Sequence, residues 1–188
     1  MPYLLDSNVF IQAKNLHYSF DFCPAFWEWI DVGHARGTVF SIEKVRGELI
    51  SGDDELSAWA QARGEDFFLP PDSAILPSLS TVSTWASGGM YEAAAVSTFL
   101  QVADYYLVAH AHAHRFIVVT HEVVSDSKKK IKIPNACIGL GVTVMSPYEM
   151  LRIEKARFVL GGMDAGEMQT AGEGKGPAPQ QEGLWSES

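Results

Sequence analysis

Four acidic residues lie where folding would bring carboxylates together. Asp6 ends a short apolar run, and Glu122 closely follows another one. Asp104 opens an apolar stretch that predicts a helix, and Glu48 lies beside the apolar face of a second predicted helix. Carboxylates that share a cleft repel one another unless a hard divalent cation lies between them. The four residues therefore predict a site for Mg²⁺ or Mn²⁺, ions that prefer oxygen ligands.

Such a site is typical of nucleases that hydrolyse phosphodiester bonds. Two ions about 3.5–4 Å apart can stabilise both the attacking water and the leaving oxygen. Each carboxylate also has an ordinary structural explanation when it is taken alone. Asp6 and Asp104 could cap or charge helix N-termini, Glu48 could form a surface ion pair, and Glu122 could be a loop acid. The order and setting of all four residues favour a metal-dependent nuclease.

The elements that must position these residues alternate between strands and helices. The patterns predict strands at 2–6, 38–41, 67–69, 116–120 and 142–145. This alternation predicts a three-layer α/β/α fold with a central, mostly parallel sheet, in which the carboxyl ends of the strands meet at one edge. The pattern stops after residue 160. We expect a single domain over 1–160 and a disordered, acidic, glycine-rich tail over 161–188.

Composition narrows the class of protein. The chain has 188 residues, of which 47% are hydrophobic, and this suits one globular domain. Its formal net charge of −9 argues against a non-catalytic binder that works by neutralising phosphates, but less against a nuclease with a carboxylate site. We expect no membrane segment and no signal peptide. The cysteines Cys23 and Cys137 are far apart in sequence and predict buried free thiols in a cytoplasmic protein.

Four short motifs resemble the PIN-domain family, which includes VapC-type toxin ribonucleases and flap-type nucleases. They are Leu5-Asp6-Ser7-Asn8-Val9, Val45-Arg46-Gly47-Glu48-Leu49, Ala103-Asp104-Tyr105-Tyr106-Leu107-Val108-Ala109 and Val118-Val119-Thr120-His121-Glu122. The resemblance covers roughly residues 1–150. It is strongest with a PIN-like subfamily that carries the segments 10–15, Phe26-Trp27 and Lys132-Ile133-Pro134-Asn135.

The resemblance implies a PIN-like fold and a Mg²⁺- or Mn²⁺-dependent endoribonuclease that uses no side-chain nucleophile. Asp6, Glu48 and Asp104 would be the core catalytic groups and metal ligands. Glu122 would be the fourth, and it is one methylene longer than the Asp that the family usually has at this point.

Other residues would support this site. Ser7 and Thr120 would orient water or a ligand carboxylate. Lys14 and Lys132 would contact nucleic acid, because their neighbours fit the subfamily pattern. The resemblance also implies partners: an RNA substrate, a cognate antitoxin that holds the toxin inactive, and a second copy of the chain in a homodimer.

Two other functions stay open. A catalytically silent PIN-like module would bind a partner without cutting, although the carboxylate set here is complete in number. A DNA-directed, structure-specific nuclease would be expected to carry an added DNA-binding module, and none is evident. His110 and His114 share a helix face and could bind zinc, but no third ligand is evident nearby. The basic run 128–132 either holds phosphates near Glu122 or is a solvated loop.

Overall fold

Five parallel strands form the centre of the structure, a computed structural model that describes residues 1–159. They are β1 (Tyr3–Leu5), β2 (Val39–Ile42), β3 (Phe68–Leu69), β4 (Ile117–Val119) and β5 (Val144–Met145). Their order in the sheet is β3-β2-β1-β4-β5, and every neighbouring pair is parallel. The predicted α/β class is therefore confirmed.

Helices connect the strands in the predicted alternation. Within the described residues they are α1 (Ser7–Gln12), α2 (Pro24–Ala35), α3 (Glu43–Leu49), α4 (Glu55–Gln61), α5 (Ile75–Ala86), α6 (Ala93–Phe99), α7 (Ala103–His114), α8 (Ile133–Gly139) and α9 (Pro147–Ile153). A π-helical segment, Ala13–His17, directly follows α1. All three residues of β1 and of β4 are buried. Because successive strand residues point to opposite faces, this burial is that of a sheet covered by helices on both faces.

The direction in which the sheet is built changes between β1 and β4. The chain first adds β2 and β3 on one side of β1, and then returns to add β4 and β5 on the other side. Leu5 is in register with Val119, so the residues that follow, Asp6 and Thr120, leave the sheet side by side. Open α/β sheets bind their ligands at such a switch point, beyond the carboxyl ends of the strands.

An aromatic core anchors the helix that follows β1. Phe10 of α1 is fully buried, and its ring centroid lies 5.3 Å from that of Trp59 and 6.3 Å from that of Phe67. Aromatic pairs at this spacing contribute beyond the burial of their surface. The first turn of α1, which begins at the switch point, is thereby fixed against the core.

Other predictions have mixed outcomes. In the part of the chain that the structure describes, no helix is both long and apolar enough to cross a membrane. Both cysteines are free thiols, but Cys23 is only half-buried, whereas Cys137 is buried. The residues Met1–Ala156 pack as one unit. The predicted tail over 161–188 lies outside the described residues, and the domain boundary at residue 160 stays a prediction.

Candidate active site

Asp6 is a buried carboxylate at the end of β1. It occupies the N-cap position of α1, but its side chain makes no capping hydrogen bond, so the capping explanation does not apply. Only 3% of the residue is exposed. Its backbone N–H donates to the carbonyl of Val119 at 3.0 Å, which ties the strand end to β4. Burial, followed by the charge of Asp104, raises the pKa of Asp6 to about 7.

The hydroxyl of Thr120 holds the Asp6 side chain in place. Thr120 Oγ1 donates to Asp6 Oδ2 at 2.8 Å and accepts from Asn8 Nδ2 and from the backbone N–H of Glu122, each at 3.0 Å. The hydroxyl proton and both lone pairs of Thr120 Oγ1 are thus engaged in hydrogen bonds. The predicted orienting role of Thr120 is consistent with these contacts. The Ser7 hydroxyl also donates to Asp6, at a longer 3.4 Å.

Asn8 completes this arrangement, and the sequence analysis did not include it among the site residues. Its Oδ1 accepts the backbone N–H of His121 at 3.0 Å while its Nδ2 donates to Thr120. Asn8 therefore bridges the start of α1 and the end of β4. Its position directly after Asp6 and Ser7 was the available signal, but its partner lies 112 residues away in the chain.

Asp104 is the second acid that the fold brings to this edge. It lies in the first turn of α7 and is half-buried. Burial, followed by the charges of Glu122 and Glu48, raises its pKa to about 6. Glu48 itself is an exposed residue of α3. The fold thus places all four predicted acids within electrostatic reach of the site, with Glu48 at its outer side.

Among the four predicted acids, Glu122 is the one that forms ion pairs with lysines in the described residues. Its Oε1 accepts from Lys132 Nζ at 2.5 Å, and Lys130 Nζ lies 3.7 Å away. Its Oε2 accepts the backbone N–H of Ile133 at 2.9 Å, in the first turn of α8. A carboxylate at this position stabilises the start of a helix. Glu122 therefore has a structural role in addition to its place beside Asp6 and Asp104.

Asp6 and Asp104 differ from Glu122 in their lack of an ion pair within the described part of the chain. In the described residues no basic side chain forms an ion pair with either carboxylate. Burial without such a partner favours uptake of a proton or a cation by a carboxylate. Carboxylate oxygens are the ligands that Mg²⁺ and Mn²⁺ prefer, so the chemistry of this pair fits such an ion. As they stand, no three His, Cys, Asp or Glu side chains among residues 1–159 are grouped closely enough to hold a metal ion.

The two predicted nucleic-acid contacts lie in different settings. Lys132 is at the site, where it is bonded to Glu122. Lys14 instead forms an ion pair with Asp54 at 2.9 Å, and Asp54 also caps α4 by accepting from the backbone N–H of Ser57. Lys130, from the basic run 128–132, is nearer to the acids: it lies beside Glu122, and its charge lowers the pKa of Asp104.

The histidines of α7 have structural surroundings. His110 is 2% exposed, and burial lowers its pKa to about 4. His114 Nε2 pairs with Asp72 at 3.1 Å, and His112 Nδ1 is hydrogen-bonded to the Ser78 hydroxyl at 2.8 Å. The zinc alternative for His110 and His114 gains no third ligand from the described part of the fold.

Comparisons with known proteins give a family but no activity. A family model described as a domain of unknown function, DUF4411, matches residues 3–158. No curated protein and no solved structure matches the chain. The family match includes the ends of β1 and β4 and the helix α7, which together carry the candidate site. The chain therefore belongs to the DUF4411 family.

Proposed function

We propose that this protein is a Mg²⁺- or Mn²⁺-dependent phosphodiesterase that cuts RNA. One observation carries the proposal: the acids Asp6 and Asp104 lie at the switch point of a parallel sheet, and no basic side chain within residues 1–159 forms an ion pair with either of them. Ligand sites of open α/β sheets lie at this point. Groups whose pKa is strongly shifted by burial and by like charges also concentrate at functional sites.

The chain's own residues would hold and orient the ion. Asp6 and Asp104 would be its carboxylate ligands, with Glu48 at the outer side of the site. A bound Mg²⁺ or Mn²⁺ supplies positive charge that stabilises the negative charge developing on a phosphate during hydrolysis. Thr120 holds Asp6 in one orientation, and Asn8 holds Thr120. Lys130 and Lys132 stand beside the acids, where they would attract the phosphates of a substrate.

RNA as the substrate follows from the PIN-like motifs. The same motifs underlie the proposal that the protein is the toxin of a toxin–antitoxin pair, with a cognate antitoxin and a homodimeric state. The basic side chains near Glu122 support a nucleic-acid substrate in general, because they offset part of the net negative charge where a phosphate would enter.

Cleavage of labelled nucleic acid tests the proposal. The purified protein is incubated with a mixed pool of labelled RNA and of single-stranded DNA, with Mn²⁺, with Mg²⁺ or with EDTA. We expect RNA to be cut with either ion, and cutting to stop in EDTA. The variants Asp6→Asn and Asp104→Asn should each abolish cutting while retaining the circular dichroism spectrum of the parent.

The matched control is Asp53→Asn, which changes an exposed acid outside the site. It should cut like the parent. Cutting by both site variants at the parent's rate would exclude the proposed mechanism. Preferential cutting of DNA would move the assignment to a DNA-directed nuclease.

A second candidate function is a catalytically silent module that binds a partner. The bonds from Glu122 to Lys132 and to Ile133 favour it, because they neutralise one predicted ligand and use it to stabilise α8. The variant Lys132→Gln separates the two functions. If Lys132 only blocks the site, its removal should create metal-dependent cutting that the parent lacks. If Lys132 helps to bind substrate, its removal should weaken the cutting that the parent already shows.

A further inference from the structure

A cavity of about 160 Å³ opens beside Asp104. One wall is α6, which contributes Thr98 and the buried ring of Phe99. The opposite wall is the basic run 128–132, which contributes the buried side chain of Ile131. The cavity therefore joins the proposed cation site to an apolar space between α6 and the loop that follows β4.

The size and lining of this cavity suit one aromatic ring. Val102, 36% exposed, supplies accessible apolar surface, and the buried side chains of Phe99 and Ile131 form the base of the cavity. An apolar protein cavity of about 150 Å³ is large enough for a ring the size of benzene. Flat heterocycles gain from contact with such walls because every nucleobase has an apolar face.

The charges at the rim select the kind of molecule that carries the ring. Lys129 and Lys130 both line the cavity and are exposed. Lys130 also reaches the site, where its Nζ lies 3.7 Å from Glu122, and Lys129 forms no ion pair in the described residues. Lysines beside an apolar cavity favour a ring that is attached to phosphates. A neutral apolar side chain from a protein partner would leave the charge of Lys129 without a partner, whereas Lys130 is already paired with Glu122.

We infer that this cavity binds one unpaired nucleobase of a single-stranded substrate, next to the phosphate that is cut. The inference rests on the proposed function and adds to it a specific subsite. The base would lie against Val102, above the buried side chains of Phe99 and Ile131, and the lysines would hold the neighbouring phosphates. A base inside a duplex cannot enter, so the substrate has to be single-stranded or locally unpaired at this position.

Filling the cavity tests the inference without touching the acids. Thr98 is exposed on α6 and lines the cavity, so Thr98→Trp places an indole at its entrance. Ser97, the adjacent residue, is also exposed but does not line the cavity, and Ser97→Trp is the matched control. Melting temperatures of both variants show that each is folded.

The first readout is binding in EDTA, which does not require cutting. The parent is titrated with uridine, cytidine, adenosine and guanosine monophosphates and with ribose 5-phosphate, which lacks a base, and binding is followed by NMR. We expect at least one nucleotide to bind more than about tenfold tighter than ribose 5-phosphate, as base stacking predicts. Thr98→Trp should abolish this preference, and Ser97→Trp should retain it.

The second readout is cutting of a single-stranded RNA in which each base is removed in turn. We expect one abasic position beside the cut to slow the parent by about tenfold or more, and to leave Thr98→Trp unaffected. Equal affinity for nucleotides and ribose 5-phosphate, or an equal effect of both tryptophan variants, would overturn the inference. If the parent binds a nucleotide more tightly than ribose 5-phosphate but does not cut RNA, the result counts against the proposed function alone.

Discussion

Asp6 lies at the proposed cation site and has an unfavourable electrostatic environment. Its carboxylate is buried beside a second acid, and its pKa is raised to about 7. The folded protein therefore holds a proton on Asp6 more tightly than the unfolded chain does. This contribution to stability is present at low pH and is lost as the pH rises through about 7.

Asp6→Asn should accordingly stabilise the metal-free protein at alkaline pH. We expect its advantage over the parent in free energy of unfolding to grow by roughly 2 kcal/mol from about pH 5 to about pH 8. Urea unfolding in EDTA, measured across this range for both proteins, gives the difference. An advantage that does not change with pH would contradict the assignment of the proton to Asp6.

Substitution of Thr120 tests the hydrogen bond that holds the Asp6 carboxylate in place. Thr120→Val keeps the shape of the side chain but leaves Asp6, Asn8 and the N–H of Glu122 without their shared partner. We expect a loss of about 1–3 kcal/mol in stability. We also expect a roughly 10- to 100-fold loss of cation affinity or cutting rate, as is usual for groups that orient metal ligands.

Thr120→Ser is the matched control, since it retains the hydroxyl. Unfolding by urea and cutting of labelled RNA should place it near the parent. If the valine and serine variants behave alike, the hydroxyl has no orienting role.

At the scale of the elements, α7 carries Asp104 at its start and leads directly into β4. Its C-cap residue, Arg115, has a left-handed conformation with φ of 58°. Such a conformation is unfavourable for a residue with a side chain, and glycine usually occupies this position. The connection between α7 and β4 is thus made at a cost in stability.

Arg115→Gly should stabilise the protein by about 1 kcal/mol because glycine adopts this conformation without strain. Arg115→Ala removes the same charge but keeps the strain, so it is the control. The midpoints of urea unfolding separate the two variants. An alanine variant as stable as the glycine variant would show that the charge, and not the backbone, is responsible.

The buried His110 of α7 has the opposite pH dependence to Asp6. Its Nδ1 has no hydrogen-bond partner in the described residues, and its pKa is lowered to about 4. Its neutral form is the one that fits the fold, so stability is lost as the pH falls from about 6.5 towards 4. His110→Leu should remove this loss, which we expect to be on the order of 2 kcal/mol.

The His110→Leu variant and its parent are best compared when both also carry Asp6→Asn, because the titration of Asp6 changes stability in the opposite direction. Urea unfolding from about pH 7.5 to about pH 4.5 gives the two profiles. Parallel profiles would contradict the burial of a neutral histidine at this position.

For the whole molecule, local sequence patterns were enough to predict the class of fold and the elements that carry the candidate site residues. The run before Asp6 is buried as predicted, and the apolar helix after Asp104 spans Ala103–His114 as expected. The sequence predicted that the strand ends before Asp6 and Glu122 meet at one edge of the sheet, and the direct pairing of β1 with β4 is consistent with this. These features depend on short-range periodicity, which a single sequence displays.

Contacts between distant segments could not be predicted in this way. Asn8 and Thr120 are 112 residues apart, and nothing local indicates that an amide will meet that hydroxyl. The ion pair of Lys14 with Asp54 joins the π-helical segment to the N-cap residue of α4, which lies 40 residues away in the chain. The hydrogen bond from the backbone N–H of Ile133 to Glu122 depends on where the chain places α8, which no local pattern around Glu122 indicates. Such contacts are determined by topology rather than by the periodicity of a segment.

The central claim is that Asp6 and Asp104 form a site for a divalent cation. Its most direct test is Mn²⁺ binding to the parent at neutral pH, followed by the electron paramagnetic resonance of free Mn²⁺. We predict saturable binding that weakens by at least about tenfold in Asp6→Asn and in Asp104→Asn and is unchanged in Asp53→Asn. No binding by the parent, or equal binding by Asp6→Asn, would contradict the claim.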